Sequence, residues 1–483
     1  MSHSFAGVSP VRAPTRTTPE LLHEAAREHP SREAYVHGGH RITYAELDRA
    51  ATDLAGVLVE RGVRRGDVVA LLLPSSIRFA IAYLGALRAG AITSATNLRL
   101  GQREQASILE RTEPRVVIDA TWDWAAGPET EPALPTVTAD DVACVVWTSG
   151  TTGAPKGAVY DHARLAAISE RMGALSAPGD RRLTVLPFAH VGYMTRIWDE
   201  LAHGTTIVLA GEPWSAAETL RLVRDEGVTV MTGVPTQWAR LLDHPDVAGT
   251  DFSRVRLAGI GGASVPAALV RRIRRVLGCP VITRYTSTEA GITTGTVPDD
   301  PDEVVATTVG RPAPGVDLRI AGEPVGEVLV RSPATMRKYW RDPEATARVL
   351  DAEGFLHTGD LGTFDADGNL RLVGRTDDRY IRGGYNVDPV EVEAVLMEHP
   401  AVAQAAVVGA PHGDLGEVGV AFVVATADAE RSALARDALA DWVRDRIADY
   451  KAPDRVVVVD ELPVTSMLKI DKRALIRRAT KEE

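Results

Sequence analysis

Short apolar runs alternate with amphipathic stretches along the first three quarters of the chain. Thr43-Tyr44-Ala45-Glu46 has capping-box spacing, and Leu47, Ala51, Leu54 and Leu58 then recur on one helical face as far as Gly62. Val69–Leu73 reads as a buried strand stopped by Pro74, and Ile77, Ala80, Ile81, Leu84 and Leu87 mark a second helix ended by Gly90. Apolar runs return at 143–147, 183–186, 206–210, 228–231 and 256–260, with helical patterns between them. A strand apolar at every position must be covered on both faces. Strands alternating with helices supply that cover in parallel sheets, so the pattern predicts an α/β fold.

After about Pro312 the texture changes. Val316–Ile320 and Glu327–Val330 are separated by Gly322 and Gly326, and Thr363–Leu372 contains the turn Asp365-Ala366-Asp367-Gly368, which predicts a small β-rich subdomain of antiparallel strands. From Pro389 a further α+β pattern follows: helix 389–398, strands 402–408 and 418–425, helix 431–448, strand 455–459 and helix 472–479. The expected joint is Gly374-Arg375-Thr376-Asp377-Asp378, giving a large N-terminal domain over 1–376 and a small C-terminal one over 377–483.

Composition narrows the partners. The 483 residues carry 65 acidic against 54 basic side chains, a net charge of −11, which argues against a dedicated nucleic-acid binder. Cys144 and Cys279 are too few and too far apart for a disulfide framework and suit a reducing compartment. No run reaches the ~18 apolar residues of a membrane span. The leading segment lacks the apolar core of a secretory signal, so the expected location is cytoplasmic. Only six of the 54 basic residues are lysine, among them Lys156 and Lys469.

The most informative stretch is Thr148-Ser149-Gly150-Thr151-Thr152-Gly153-Ala154-Pro155-Lys156-Gly157, directly after the strand run ending at Trp147. Hydroxyls and glycines let the backbone wrap an oxyanion, and Lys156 adds a compact positive charge, a combination suited to polyphosphate. The spacing is not that of a Walker A loop, in which four residues separate the glycines and Ser or Thr follows the lysine.

This segment closely resembles the signature loop of the adenylate-forming superfamily, which contains acyl- and aryl-CoA synthetases, nonribosomal adenylation domains and beetle luciferases. Further segments resemble that family in order: Arg284-Tyr285-Thr286-Ser287-Thr288-Glu289, His357-Thr358-Gly359-Asp360, Gly374-Arg375-Thr376-Asp377-Asp378, Ile381-Arg382-Gly383-Gly384-Tyr385, Pro389-Val390-Glu391-Val392-Glu393 and Leu462-Pro463-Val464-Thr465-Ser466-Met467-Leu468-Lys469. The resemblance implies activation of a small carboxylic acid with ATP, then transfer to the thiol of CoA or, alternatively, of a carrier-protein phosphopantetheine.

It also implies roles. Thr148, Ser149, Gly150, Thr151, Thr152, Gly153 and Lys156 would hold the β- and γ-phosphates. Glu289 would ligate Mg²⁺, a hard cation that prefers oxygen. Thr288 would face the α-phosphate, and Asp360 would accept the ribose hydroxyls with Arg375 beside it. Gly262, Ala263, Ser264, Tyr285 and Thr286 would line the nucleotide slot. Lys469 would bridge carboxylate and α-phosphate, where a compact ammonium fits better than a planar guanidinium. His190, Val191, Gly192, Val234, Trp238 and Gly261 would border the acid. Asp377 would be the hinge, and Arg382, Gly383 and Gly384 the loop of the thiol step.

Amino-acid-activating relatives place an aspartate near His190, and here none occurs before Asp199, so an α-amino acid is disfavoured. Arg196, Asp199 and Glu200 read as a solvated helix face. Three departures from the family pattern stand out: Leu468 before the lysine, Thr286 after Tyr285, and Arg382 in place of a common lysine. Other outcomes on the same scaffold are adenylation of an unusual non-carboxylate oxyanion and a nucleotide-binding protein that has lost catalysis.

Overall fold

The computed structural model describes residues 16–130, 133–148, 155–261, 265–426, 429–465 and 470–481. Its largest sheet has nine strands, running in space Arg311–Pro312, Gly291–Gly295, Val281–Ser287, Leu257–Gly261, Val230–Gly233, Arg181–Thr184, Thr206–Leu209, Glu33–His37 and His40–Thr43. The six strands from Val281–Ser287 to Glu33–His37 are parallel, and antiparallel strands close both edges. A second sheet of five strands orders Val116–Ile118, Val68–Leu71, Ile92–Ala95, Val142–Trp147 and Gly157–Asp161, with only the last antiparallel.

One core joins the two sheets. It contains Ile207, Val230, Leu257 and Ile282 from the larger sheet and Val69, Leu71 and Val146 from the smaller. Helices Tyr44–Glu60 and Ile77–Arg88 bury Leu47, Leu54, Leu58, Phe79, Tyr83 and Leu84 in it. The first of these starts where its sequence dictates. Thr43 Oγ1 accepts the Glu46 N–H at 3.3 Å, and the Glu46 carboxylate accepts the Thr43 N–H at 2.8 Å, which occupies two of the donors a helix start leaves unpaired.

The β-rich part is an antiparallel sheet of Asp317–Ala321, Gly326–Arg331, Leu356–Phe364 and Leu370–Arg375. Its last turn is fixed by the Asp365 carboxylate, which accepts the N–H groups of Asp367 and Asn369, while Gly368 takes the left-handed φ of +78°. The C-terminal part pairs Tyr385–Val387, Tyr380–Arg382, Gly416–Ala425 and Val402–His412, with Arg455–Val458 parallel to Gly416–Ala425. Helices Pro389–Met397, Arg436–Arg444 and Lys472–Lys481 cover it.

The α/β class and the β-rich and C-terminal parts follow the predicted pattern. One element differs: the helix expected over 431–448 is a 3₁₀ turn, Arg431–Leu434, and a short α-helix, Arg436–Arg444. Ala435 breaks the run by adopting extended backbone, φ −60° and ψ 145°. Among the described residues no helix is long and apolar enough to cross a membrane.

Candidate active site

Strand pairing builds the first half of the site. Asp360 and Arg375 face each other across the strands Leu356–Phe364 and Leu370–Arg375. Arg375 Nη1 lies 2.5 Å from Asp360 Oδ1, and the Tyr285 hydroxyl donates to Asp360 Oδ2. Tyr285 arrives from the large sheet, at the strand Val281–Ser287. Gly359 adopts φ +70°, and a side chain there would come within 3.2 Å of the Arg375 guanidinium. Burial, reinforced by the Asp360 charge, pushes the Tyr285 hydroxyl well up, so it stays a donor. Burial works against the Arg375 charge, but Asp360, Asp378 and Asp377 together outweigh it and raise the guanidinium.

The second half gathers on the turn after that strand. The Ser287 hydroxyl accepts the Ala290 N–H at 2.9 Å and shapes the turn, while the Tyr160 hydroxyl donates to the Thr288 carbonyl at 2.6 Å. The Glu289 carboxylate accepts the Tyr339 hydroxyl at 2.9 Å. Tyr339 also lies under Lys156, whose Nζ is 5.4 Å from the ring centroid. Lys156 is fixed by its backbone: Thr148 N–H donates to the Lys156 carbonyl at 2.9 Å, and Lys156 N–H to Thr148 Oγ1 at 3.3 Å. Gly157 must be glycine, since a Cβ would come within 2.5 Å of Val145. Sequence reasoning missed Tyr339. Its one signal was the aromatic pair Tyr339-Trp340 set between Lys338 and Arg341; in the structure Tyr339 forms an isolated bridge with Ala158.

The donor set fits a magnesium ion held largely by a ligand's phosphates. Among the described residues no group of three or more His, Cys, Asp or Glu gathers as a metal cage. Glu289 commits one carboxylate oxygen to Tyr339 and keeps the other, and Mg²⁺ is commonly bound by one or two carboxylates plus phosphates.

Among the residues expected to border the acid, His190 caps the short helix Val191–Met194: its Nδ1 accepts the Gly192 N–H at 3.1 Å. Val234 caps the helix Pro235–Leu242. Trp238 is buried with Met231, Leu241 and Ile260, and its indole N–H donates to the Gly259 carbonyl at 3.1 Å. Gly261 pairs with Arg284 across adjacent strands, and Thr286 is exposed.

The expectation of a solvated face at Arg196, Asp199 and Glu200 is wrong. Asp199 and Glu200 are 0% and 3% exposed, because Arg182, itself 1% exposed, reaches them from the strand Arg181–Thr184. Arg182 Nη2 lies 3.0 Å from Asp199 Oδ2, and its Nη1 lies 3.7 Å from Glu200 Oε1. Burial lifts the Glu200 carboxyl to about 7 despite the two arginines that oppose it. Asp199 goes the other way: burial raises it, but His203, 3.3 Å from Oδ1, and the charges of Arg182 and Arg196 hold it well below the carboxylate range.

Around the expected hinge, Asp377 is exposed in a turn, Thr376 N–H donates to the Gly359 carbonyl at 2.9 Å, and Lys472 Nζ stands 3.6 Å from Asp378. Arg382 forms a two-pronged pair with Asp454 at 2.8 and 2.7 Å, a geometry that lysine does not reproduce. Gly383 and Gly384 turn the chain with φ of +57° and +86°. Ser149, Gly150, Thr151, Thr152, Gly153, Gly262, Ala263, Ser264, Leu468 and Lys469 lie outside the described residues.

The sequence matches the family described as "AMP-binding enzyme" over residues 22–340 and the "AMP-binding enzyme C-terminal domain" over 391–469. It is 35% identical to the 3-[(3aS,4S,7aS)-7a-methyl-1,5-dioxo-octahydro-1H-inden-4-yl]propanoyl:CoA ligase of Rhodococcus jostii (strain RHA1), covering 95% of this chain and 98% of that protein. It is 36% identical to the feruloyl-CoA synthase of Amycolatopsis sp, over 94% and 97%. The amide bond synthetase McbA of Marinactinospora thermotolerans superposes with a TM-score of 0.85 at 30% identity, covering 96% of this chain and all (100%) of that one. The chain belongs to the AMP-binding enzymes, the adenylate-forming acid ligases.

Proposed function

We propose that this chain activates a carboxylic acid with ATP and passes the acyl group to the thiol of coenzyme A. A carboxylate oxygen bonds to the α-phosphorus as the P–O bond to the β-phosphate breaks, and pyrophosphate leaves with the electron pair. The thiol then attacks the acyl carbon, the C–O bond to AMP breaks, and the thiol proton passes to water. The observation that carries the reading is the Asp360–Arg375–Tyr285 cluster, an acceptor suited to a ribose diol, flanked by Glu289 and Lys156 on their shared tyrosine.

In this reading Asp360 accepts the ribose hydroxyls, and Arg375 and Tyr285 keep its carboxylate oriented. Lys156 and the loop from Thr148 neutralise the terminal phosphates, while Thr288 faces the α-phosphate. Magnesium, when bound, neutralises phosphate oxygens with Glu289 as its protein ligand. His190 orders the wall between nucleotide and acid through its bond to Gly192. Lys469 brings the two reacting anions together. The chain divides at Asp377 into parts 1–376 and 377–483, and turning of the second part exchanges Lys469 for the 382–384 loop between the two steps.

The test is ATP–pyrophosphate exchange over a broad panel of carboxylic acids. Some acid should stimulate exchange, and Lys469→Ala should abolish it while ATP binding persists. Failure of every acid would overturn the reading. Product formation with CoA, compared with a holo carrier protein, identifies the acceptor.

A further inference from the structure

Two clamps bracket the expected pivot. On one side Thr376 is tied to the strand Leu356–Phe364: its N–H and its hydroxyl both donate to the Gly359 carbonyl, at 2.9 and 3.1 Å. On the other, Asp378 Oδ2 lies 3.6 Å from the Nζ of Lys472, in the first turn of the helix Lys472–Lys481. Arg379, the next residue, pairs with Asp388 at 2.9 and 3.1 Å. Asp377 stands exposed between the clamps, and the Asp378 N–H reaches across it to the Arg375 carbonyl at 3.3 Å. A backbone held on both sides of one residue turns most easily at that residue.

The Lys472 side chain is 22% exposed, and its Nζ is buried between Asp378 and Glu393, 3.1 Å from Glu393 Oε1. Glu393 is itself fixed, because the same oxygen accepts the Val407 N–H at 2.8 Å from the strand Val402–His412. One compact ammonium therefore serves carboxylates on two elements and joins the pivot to the C-terminal helix. The start of that helix is joined in turn to the segment that leads into Lys469. Asp471 N–H donates to the Pro463 carbonyl at 2.8 Å, Val464 bridges with Ile470, and the Asp471 carboxylate accepts the Ala474 N–H at 3.0 Å. Lys469 precedes Lys472 by three residues.

This segment faces the large domain. A cavity of about 260 Å³ separates Trp214, Gln237 and Arg240 from Asp460, Leu462 and Val464, and Arg240 lies 3.8 Å from Glu461. The 382–384 loop has anchors of its own, Arg382 to Asp454 and Arg379 to Asp388, and neither involves Lys472.

We infer that Lys472 is a positioning residue: it makes the C-terminal part follow the turn at Asp377 as one piece and so sets the Lys469 segment for the first step. This rests on the acid-activating reading above. No bond is made or broken at Lys472; its charge holds Asp378, and the pivot with it, to the body that carries Lys469. Slack left by its loss falls on the first step, because the thiol loop keeps its separate anchors.

The experiment measures the two steps apart. The first is ATP–pyrophosphate exchange with the acid that stimulates wild type most. The second is AMP release when CoA meets the chemically prepared acyl-adenylate of that acid. Lys472→Met should lower kcat of exchange roughly 10- to 100-fold with KM for ATP little changed, while the CoA step stays within about twofold. Lys472→Arg keeps the charge and should recover most of the exchange rate. Asp378→Asn should reproduce the split at about fivefold, and combining it with Lys472→Met should cost nothing further, since the contact is already gone. If Lys472→Met does not fold, Asp378→Asn decides. Equal losses in both steps with a lower Tm would make Lys472 a structural residue and overturn the inference. Unchanged exchange, or a loss confined to the CoA step, overturns it as well and leaves acid activation standing. Wild type silent with every acid overturns both.

Discussion

Asp360 with Arg375, and Asp199 with Arg182, are the same pair of residue types put to opposite uses. The Arg375 side chain is 40% exposed, and its carboxylate partner also accepts a tyrosine hydroxyl, so the cluster is balanced and wet on one side. Arg182 is sealed, has buried donors without hydrogen-bond partners among the described residues, and has the Arg196 guanidinium as a neighbour. A pair open to water exchanges partners at little cost, whereas a dry one is fixed and cannot lose a member cheaply. Water access and surrounding charge, not residue identity, separate a pair that can exchange partners from one that is locked in place.

The sharpest way to break this contrast is Arg182→Leu. It strands Asp199 in the core and should cost about 4 kcal/mol in urea unfolding, while Arg375→Leu should cost under about 1 kcal/mol. Equal losses would erase the distinction. Next, Asp360→Asn should lower kcat/KM for ATP by roughly 100-fold, about 3 kcal/mol, with unfolding free energy nearly unchanged. A stability loss of the same size would make Asp360 a structural residue instead.

The buried side has a pH signature. The folded-state value of Glu200 is near 7, above its ordinary 4.5, so the fold holds the neutral form. That stability is full below about 4.5 and is lost as pH rises through about 7. Relative to Glu200→Gln, wild type should therefore lose roughly 2–3 kcal/mol between those limits, read from urea midpoints at each pH. A constant difference would show that Glu200 is not held neutral. The smallest effect is expected for Tyr339→Phe, which removes one hydrogen bond to Glu289 but keeps the ring under Lys156. KM for MgATP should rise about fivefold, near 1 kcal/mol.

Most of the scaffold was legible because local signals and tertiary demands agreed. The Thr43 cap, the apolar strand runs and the Asp365 turn each specify geometry within a few residues. Asp360 and Arg375 were legible as motif members, and register then places them opposite each other. Two things were not legible. Tyr339 serves the site from a segment far from both Lys156 and Glu289, so no local spacing marks it. Asp199 and Glu200 looked solvated because their counter-charge, Arg182, belongs to a strand whose side chain crosses the sheet face to reach them. Burial of a charge is decided by what packs against it, and sequence periodicity carries little of that information.

Tyr339 acts as a bracket with two different grips. Its ring face meets the Lys156 ammonium and its hydroxyl meets the Glu289 carboxylate, so one side chain from a distant segment engages both charges. That engagement is made once, when the chain folds. In the proposed reaction a polyanion then arrives at charges that already share a support, and their placement is not repeated on each turnover.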